Sequence, residues 1–269
     1  MTYKMRGLVN IGNSCYFNAS LQVLLHVPIL SNRFIKRRYT GECEFTRLYS
    51  RLVNDFWKAS DPPREPLDPT PLIRAFQKTF PRFVDEEQHD VQEAVLCIVD
   101  ILERAVPWIK GIVYGTKTQV TKWPGGESSR DEAFCVHILA HESGIDDIGK
   151  MLEKATDWTP IEGYVDDEGT RYHVAATRTF FKTMPKVLFV SFDQKSHVRV
   201  AERLSMSTGD SYKLVASAVH AGVQCGGHYA AFTLHKKEWR FRDDECDSRM
   251  QEIANPASHY FLAYVKMTA

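Results

Sequence analysis

Hydrophobic positions along this chain fall into two regimes. Up to about residue 110 they recur at helical spacing; after Gly111 they gather into short β-rich runs. The apolar run Leu21-Gln22-Val23-Leu24-Leu25 predicts a helix from about Ser14 to Val27, stopped near Pro28. Glu44 to Lys58 predicts a second, with Phe45, Leu48, Leu52, Val53, Phe56 and Trp57 at helical spacing. Asp61 to Pro71 holds five prolines and reads as a connector. Thr70 to Phe80 predicts a third helix on Leu72, Ile73 and Phe76. A fourth is expected to open at Asp85, with Gln88 three residues on in a capping-box pattern, and to run to about Val106 on a stripe of Val91, Val95, Ile98 and Leu102. Strands are predicted at Val113–Lys117, Phe134–Leu139, Val174–Phe181, Val187–Phe192, Val198–Leu204 and Tyr212–His220, with a short helix at Ile145–Lys154. Helices first and strands later predict an α+β fold: one domain over 1–269, mainly helical in 1–110 and sheet-bearing in 111–269.

The last β-rich stretch carries the most information. Two such runs flank His235-Lys236-Lys237 and read as a hairpin. A centre between His235 and Lys236 sets Phe232 opposite Trp239, Ala230 opposite Phe241 and His228 opposite Asp243. Side chains alternate along a strand, so these six share one face; Tyr229, Thr233, Glu238, Arg240 and Arg242 take the other. An apolar face thus ends in a histidine and a carboxylate close enough to bond.

Composition narrows the classes. Lysine plus arginine equals aspartate plus glutamate, 34 each, so net charge argues for neither nucleic acid nor a membrane surface. There is no uninterrupted apolar run of about twenty residues, the length a membrane-spanning helix needs. The first six residues are too polar for a secretory signal. The six cysteines are scattered and none forms a C-x-x-C pair, which argues against a disulfide framework and a four-thiolate zinc site. A reducing compartment, cytosol or nucleus, is the expectation. The histidines other than His228 have no metal-site spacing, so no metal or cofactor is expected. Arg33-Phe34-Ile35-Lys36-Arg37-Arg38 is a short basic cluster that reads as a solvated face.

Cys15 sits where the loop Gly12-Asn13-Ser14 becomes the first helix. Asn13 or Ser14 can cap that helix, and its dipole favours thiolate over thiol. With His228 oriented by Asp243, the parts of a thiol hydrolase are present: Cys15 as nucleophile, His228 as base and acid, Asp243 fixing the imidazole tautomer. Asn10 can offer its side-chain amide to an oxyanion. Gly226-Gly227 allows close backbone approach beside His228. Gln88, Asp90 and Glu93, taken by themselves, read as a solvated helix start.

These stretches closely resemble the ubiquitin-specific protease family of papain-like cysteine deubiquitinases. Gly7-Leu8-Val9-Asn10-Ile11-Gly12-Asn13-Ser14-Cys15-Tyr16-Phe17-Asn18 resembles its cysteine box. Gln88-His89-Asp90-Val91-Gln92-Glu93 resembles its glutamine/aspartate box, and Gly227-His228-Tyr229 with Trp239 and Asp243-Asp244 its histidine box. Pro185 to Phe192 stands where the family has a central strand, and Ala263-Tyr264-Val265 resembles its last core strand. The resemblance implies a hand of helical thumb, mixed palm and β-fingers. It implies cleavage of ubiquitin conjugates after the terminal Gly-Gly by Cys15, His228 and Asp243, with Asn10 as oxyanion donor assisted by Asp244. It also implies that Gln88, Asp90, Glu93 and Tyr229 meet the ubiquitin tail, whose arginines suit acidic side chains.

The chain departs from the family pattern in two places. Near Thr118–Lys122 and Tyr164–His173, where family fingers often carry zinc-binding cysteine pairs, there is no cysteine, so shortened, metal-free fingers are expected. Ser191-Phe192 stands where the family has Arg-Phe. Three other readings stay open on sequence: a deconjugase of a ubiquitin-like modifier with the same Gly-Gly end, a ubiquitin-binding adaptor, and another papain-like thiol enzyme.

Overall fold

The computed structural model describes residues 6–58, 65–84, 87–194, 197–223 and 226–267. Helices α1 (Cys15–Leu25), α2 (Pro28–Lys36), α3 (Glu44–Trp57), α4 (Thr70–Thr79) and α5 (Val91–Ala105) come first, then the single turn α6 (Lys110–Val113). Strands β1 (Gly115–Trp123), β2 (Gly126–Phe134) and β3 (Val136–Leu139) precede α7 (Ile148–Lys154). Then follow β4 (Thr159–Ile161), β5 (Tyr164–Val165), β6 (Arg171–Tyr172), β7 (Ala175–Thr183), β8 (Val187–Phe192), β9 (Arg203–Ser205), β10 (Ser211–Val223), β11 (Gly226–His235), β12 (Glu238–Asp243), β13 (Cys246–Met250) and β14 (His259–Lys266). The fold is α+β.

α1 is buried at every residue, the burial expected of a helix enclosed on all sides. It lies between α5 and the sheet. Within it Ser20 Oγ donates to the Tyr16 carbonyl at 2.8 Å, and at its end the cap residue His26 meets the Gln22 carbonyl through Nδ1 at 2.8 Å. Pro28 does not end the helical region. It occupies the first turn of α2, where a missing N–H costs nothing, and the basic cluster forms the last turn of α2 and the segment after it. α5 opens at Val91 rather than Asp85, which lies outside the described residues. Asp90 is its cap, accepting the Gln92 and Glu93 N–H groups at 2.7 and 3.3 Å.

The palm is an eight-stranded sheet in the order β13-β12-β11-β10-β14-β8-β3, with β9 added beside β10. All of it is antiparallel except β3 with β8. β8, Val187-Leu188-Phe189-Val190-Ser191-Phe192, is buried throughout, because both faces of the sheet are covered. On β14, Phe261 and Ala263 face the helical core, while Leu262 and Tyr264 face a second core shared with Ile148, Met151 and Leu152 of α7. The predicted strand at Val198–Leu204 is largely loop: Val198 and Arg199 make isolated bridges, and only Arg203–Ser205 joins the sheet.

A four-stranded sheet, β2-β1-β7-β4, forms the fingers. At its tip Trp123 packs on Tyr164 and Tyr172 with ring centroids 5.0 and 6.1 Å away, and Tyr172 donates to Asp166 at 3.0 Å. His173 is the only sulfur- or imidazole-bearing residue in the two segments where the family holds zinc, so this donor set does not fit such a site.

Candidate active site

Cys15 is placed by a short left-handed turn. Gly12 and Asn13 have φ of 93° and 41°, which folds the loop back on α1. Ser14 stands at the cap position of α1, but its side chain makes no cap bond. The Ser14 hydroxyl instead accepts the Ile11 N–H at 3.0 Å and donates to Asn10 Oδ1 at 3.1 Å, so it braces the loop that carries Asn10. Cys15 is 3% exposed. Burial pushes its thiol above the ordinary range, the Asp244 carboxylate pushes it further, and backbone groups of Tyr229 and Tyr16 pull it back only in part. The expected bias of the helix start toward thiolate is outweighed by desolvation in this state. The same contacts set the Cys15 sulfur beside the backbone of Tyr229, the residue after His228.

The hairpin that carries His228 turns at Lys236-Lys237, whose φ values are 47° and 70°. That places the turn one residue later than expected and moves the register by two. Phe232 pairs with Phe241, and Leu234 with Trp239. A two-residue shift keeps every side chain on its face. His228 and Asp243 therefore stay on the same face, as diagonal neighbours rather than opposite ones, and His228 Nε2 meets Asp243 Oδ1 at 2.5 Å. With Nε2 so engaged, Nδ1 is the nitrogen left to exchange a proton.

The other face of the hairpin lies under the helices. Tyr229, Thr233, Arg240 and Arg242 are all buried. Asp247 of β13 takes both arginines: Arg240 Nε and Nη2 at 2.7 and 2.5 Å, and Arg242 Nη1 at 3.1 Å. This cluster fixes the β12–β13 turn, on which Asp244 sits at φ 47°. Asp244 is gripped on each oxygen, by Asn10 Nδ2 at 2.6 Å and Asn18 Nδ2 at 2.8 Å, and its carbonyl accepts the Leu8 N–H at 2.9 Å. Polar side-chain atoms of His228, Asp243 and Asp244 lie within 4.8 Å of one another. Asn10 is thus held at both ends, by Asp244 on its amide and by the Gly12 N–H and Ser14 on its carbonyl, with a second amide hydrogen to offer. Asn18 has no role in the sequence reading. Its signal is its spacing, one helical turn after Cys15 on the same side of α1.

The start of α5 meets the same strand. Gln88 Oε1 accepts the Gly227 N–H at 2.7 Å, and Asp90 Oδ2 accepts the Tyr229 hydroxyl at 3.3 Å. The Tyr260 hydroxyl also bonds Asp90, and burial raises both phenols far above their ordinary range. Asp90 is therefore a structural cap and anchor, not the solvated group it resembles in sequence, and Tyr260 joins the cluster from a strand whose sequence carries no sign of it. Glu93 stands apart, paired with Arg82 Nε at 2.7 Å. Of the two adjacent glycines only Gly227 needs to be one: a Cβ there would collide with the His220 ring and the Ala221 carbonyl, whereas Gly226 faces open space. Cys225 lies outside the described residues.

Residues 6–264 match the family model described as "Ubiquitin carboxyl-terminal hydrolase". "Ubiquitin carboxyl-terminal hydrolase 5" of Arabidopsis thaliana is 28% identical over 170 residues, 60% of this chain and 18% of that protein. "Ubiquitin carboxyl-terminal hydrolase 17-like protein 15" of Homo sapiens is 25% identical over 300 residues, 97% of this chain and 53% of that protein. The chain thus spans about half the length of the second relative and less of the first. A solved structure of the SAGA Ubp8/Sgf11/Sus1/Sgf73 DUB module bound to ubiquitin aldehyde shares the fold, with a TM-score of 0.83 at 18% identity over 98% of this chain and 70% of that one.

Proposed function

The chain belongs to the ubiquitin carboxyl-terminal hydrolase family, and on that premise we propose that it is a cysteine isopeptidase releasing ubiquitin from protein conjugates after the modifier's terminal Gly-Gly. The observation that carries the proposal is the His228 Nε2–Asp243 bond of 2.5 Å, on a strand whose next residue touches the Cys15 thiol through its backbone.

In this reading His228 Nδ1 takes the Cys15 proton, and Asp243 steadies the imidazolium. The thiolate adds to the carbonyl carbon of the modifier's last glycine. The carbonyl oxygen becomes an oxyanion, met by the second N–H of the Asn10 amide, which Asp244 and Ser14 hold in place. The imidazolium then protonates the departing amine as the carbon–nitrogen bond breaks, leaving a thioester. Water, deprotonated by His228, attacks the thioester, and the thiol takes back the proton. Because Cys15 rests as a buried thiol, the proton transfer to His228 belongs to the substrate-bound state. Gln88, Asp90 and Tyr229 form the wall along which the modifier's tail runs, with Asp90 acting through the two tyrosines it anchors. Glu93, held by Arg82, contributes at the rim.

Scattered free cysteines, Cys15 among them, suit a reducing cytosol or nucleus. None of the described helices is long and apolar enough to cross a membrane. A ubiquitin-like modifier is the second reading, favoured by fingers that end in the Trp123–Tyr164–Tyr172 cluster rather than the family's usual tip. The test is hydrolysis of ubiquitin bearing a fluorogenic amide on its last glycine. His228→Ala is expected to lose roughly 10²–10⁴-fold in kcat/KM. Activity unchanged in that variant sinks the mechanism. Cleavage of a ubiquitin-like substrate alone transfers the reading to that modifier.

A further inference from the structure

The basic cluster noted in the sequence builds a pocket that the reaction does not use. A cavity of about 540 Å³ opens between the end of α2, the segment 37–41 and the turn at Pro107–Ile109. Its walls are Phe34, Tyr39, Val106 and Trp108. Phe34 is buried and its ring lies 5.7 Å from Trp108 and 5.3 Å from Tyr49. The outer wall is built rigidly: the Tyr39 N–H donates to Ser50 Oγ at 3.0 Å, and Arg47 Nη1 donates to the Gly41 and Glu42 carbonyls at 2.7 and 2.6 Å.

Arg33, Lys36, Arg37 and Arg38 line the same cavity, and all four are exposed. Among the described residues none of them has an acidic partner within ion-pair distance, and no acidic side chain lines the cavity. Neighbouring cations behave differently. Arg104 pairs with Asp100 at 2.9 Å and Lys110 with Glu103 at 3.7 Å. Four uncompensated cations around an aromatic hollow form a local positive field on a chain whose charges otherwise balance.

We propose that this pocket docks an acidic peptide segment of a partner protein. One bulky apolar side chain of the partner enters between Phe34, Val106 and Trp108. Carboxylates on either side of it are held by the arginines, whose planar forks suit carboxylate geometry. The hollow favours a peptide over a nucleic acid, because Arg33 already lies over Trp108 at 4.7 Å and that ring face is closed to a base.

The test is fluorescence anisotropy with a short fluorescein-labelled peptide rich in aspartate and glutamate around one central phenylalanine. The double variant Arg37→Glu/Arg38→Glu changes only exposed side chains and is expected to weaken binding by at least about tenfold. Ubiquitin cleavage should stay at the wild-type rate. Replacing the peptide's phenylalanine by alanine should weaken binding to the wild-type protein as well, a readout that needs no change in the fold. Equal affinity for both proteins, or for both peptides, overturns the proposal. So does a single-stranded oligonucleotide that binds at least as tightly as the peptide and is lost in the double variant.

Discussion

Asp247 gives the sharpest stability prediction. Its side chain has no exposure, Arg242 has none, and Arg240 has 9%. Burial pushes the Arg242 guanidinium down to about 10, even with the Asp247 carboxylate raising it. Asp247→Ala leaves two buried cations facing each other without a counter-charge, a change that typically costs about 3–5 kcal/mol. Urea unfolding with a slope near 3 kcal/mol per molar would then show a midpoint lower by roughly 1–1.7 M. Asp131→Ala is the comparison: Asp131 pairs with Lys182 at 2.5 Å, but both are about half exposed and solvent screens the pair, so that variant should unfold close to the wild-type midpoint. Replacing Asp247, Arg240 and Arg242 together by apolar residues of similar volume should recover much of the loss, since it removes the desolvated charges as well as their pairing. If Asp247→Ala falls within about 1 kcal/mol of Asp131→Ala, the reasoning is refuted. The consequence reaches function, because Asp247 fixes the hairpin that carries Asp243 and Asp244.

Three further outcomes follow. Burial holds His137 down to about 3, His259 down to about 4 and His26 well below its usual value, so the folded protein refuses protons that the unfolded chain accepts below about 6.5. Stability is therefore full above that pH and falls as acid is added, by about 1.4 kcal/mol per unit for each of His137 and His259, or about 3 kcal/mol for the two between pH 8 and 5.5, with His26 adding in the same direction; urea titrations giving equal stability at both pH values would contradict this. Site-resolved mass spectrometry should show Cys15 alkylation by iodoacetamide rising about tenfold per pH unit from pH 6 to 8, because burial raises its thiol, whereas a flat profile would indicate a preformed thiolate. Asp90→Ala removes a helix cap and the anchor of Tyr229 and Tyr260 and should cost about 2–4 kcal/mol in thermal unfolding, against about 1 for Gln88→Ala; equal losses would deny Asp90 its anchoring role.

The residues we propose to carry the chemistry are legible because each belongs to a local pattern. Cys15 stands at a loop-to-helix junction, and His228 and Asp243 end the apolar face of one hairpin. The hairpin register escaped because its turn uses two lysines in the left-handed region, where asparagine or glycine is the usual signal. The face survived that error only because the slip was by two. Pro28 looks like a stop in sequence, yet proline is equally at home in a first helical turn, and here it opens α2. The sequence starts α5 too early, since Asp85 and Asp90 look like equivalent caps; Asp90 is the one whose backbone is extended and whose carboxylate takes the Gln92 and Glu93 N–H groups. The grip of Asn18 on Asp244 joins residues 226 apart, and the burial of Arg240 and Arg242 depends on a helical layer above the hairpin. The spacing of Asn18 from Cys15 hints at its side of the helix, but no local pattern encodes its partner or the burial of the two arginines.

The central claim is that Cys15 attacks the carbonyl carbon at the C-terminus of ubiquitin. Intact-mass spectrometry after incubation with ubiquitin carrying a C-terminal electrophile tests it directly. The account predicts a single covalent adduct on the wild-type protein and none on Cys15→Ala. Folded wild type that forms no adduct, or an adduct that persists on Cys15→Ala, would contradict it.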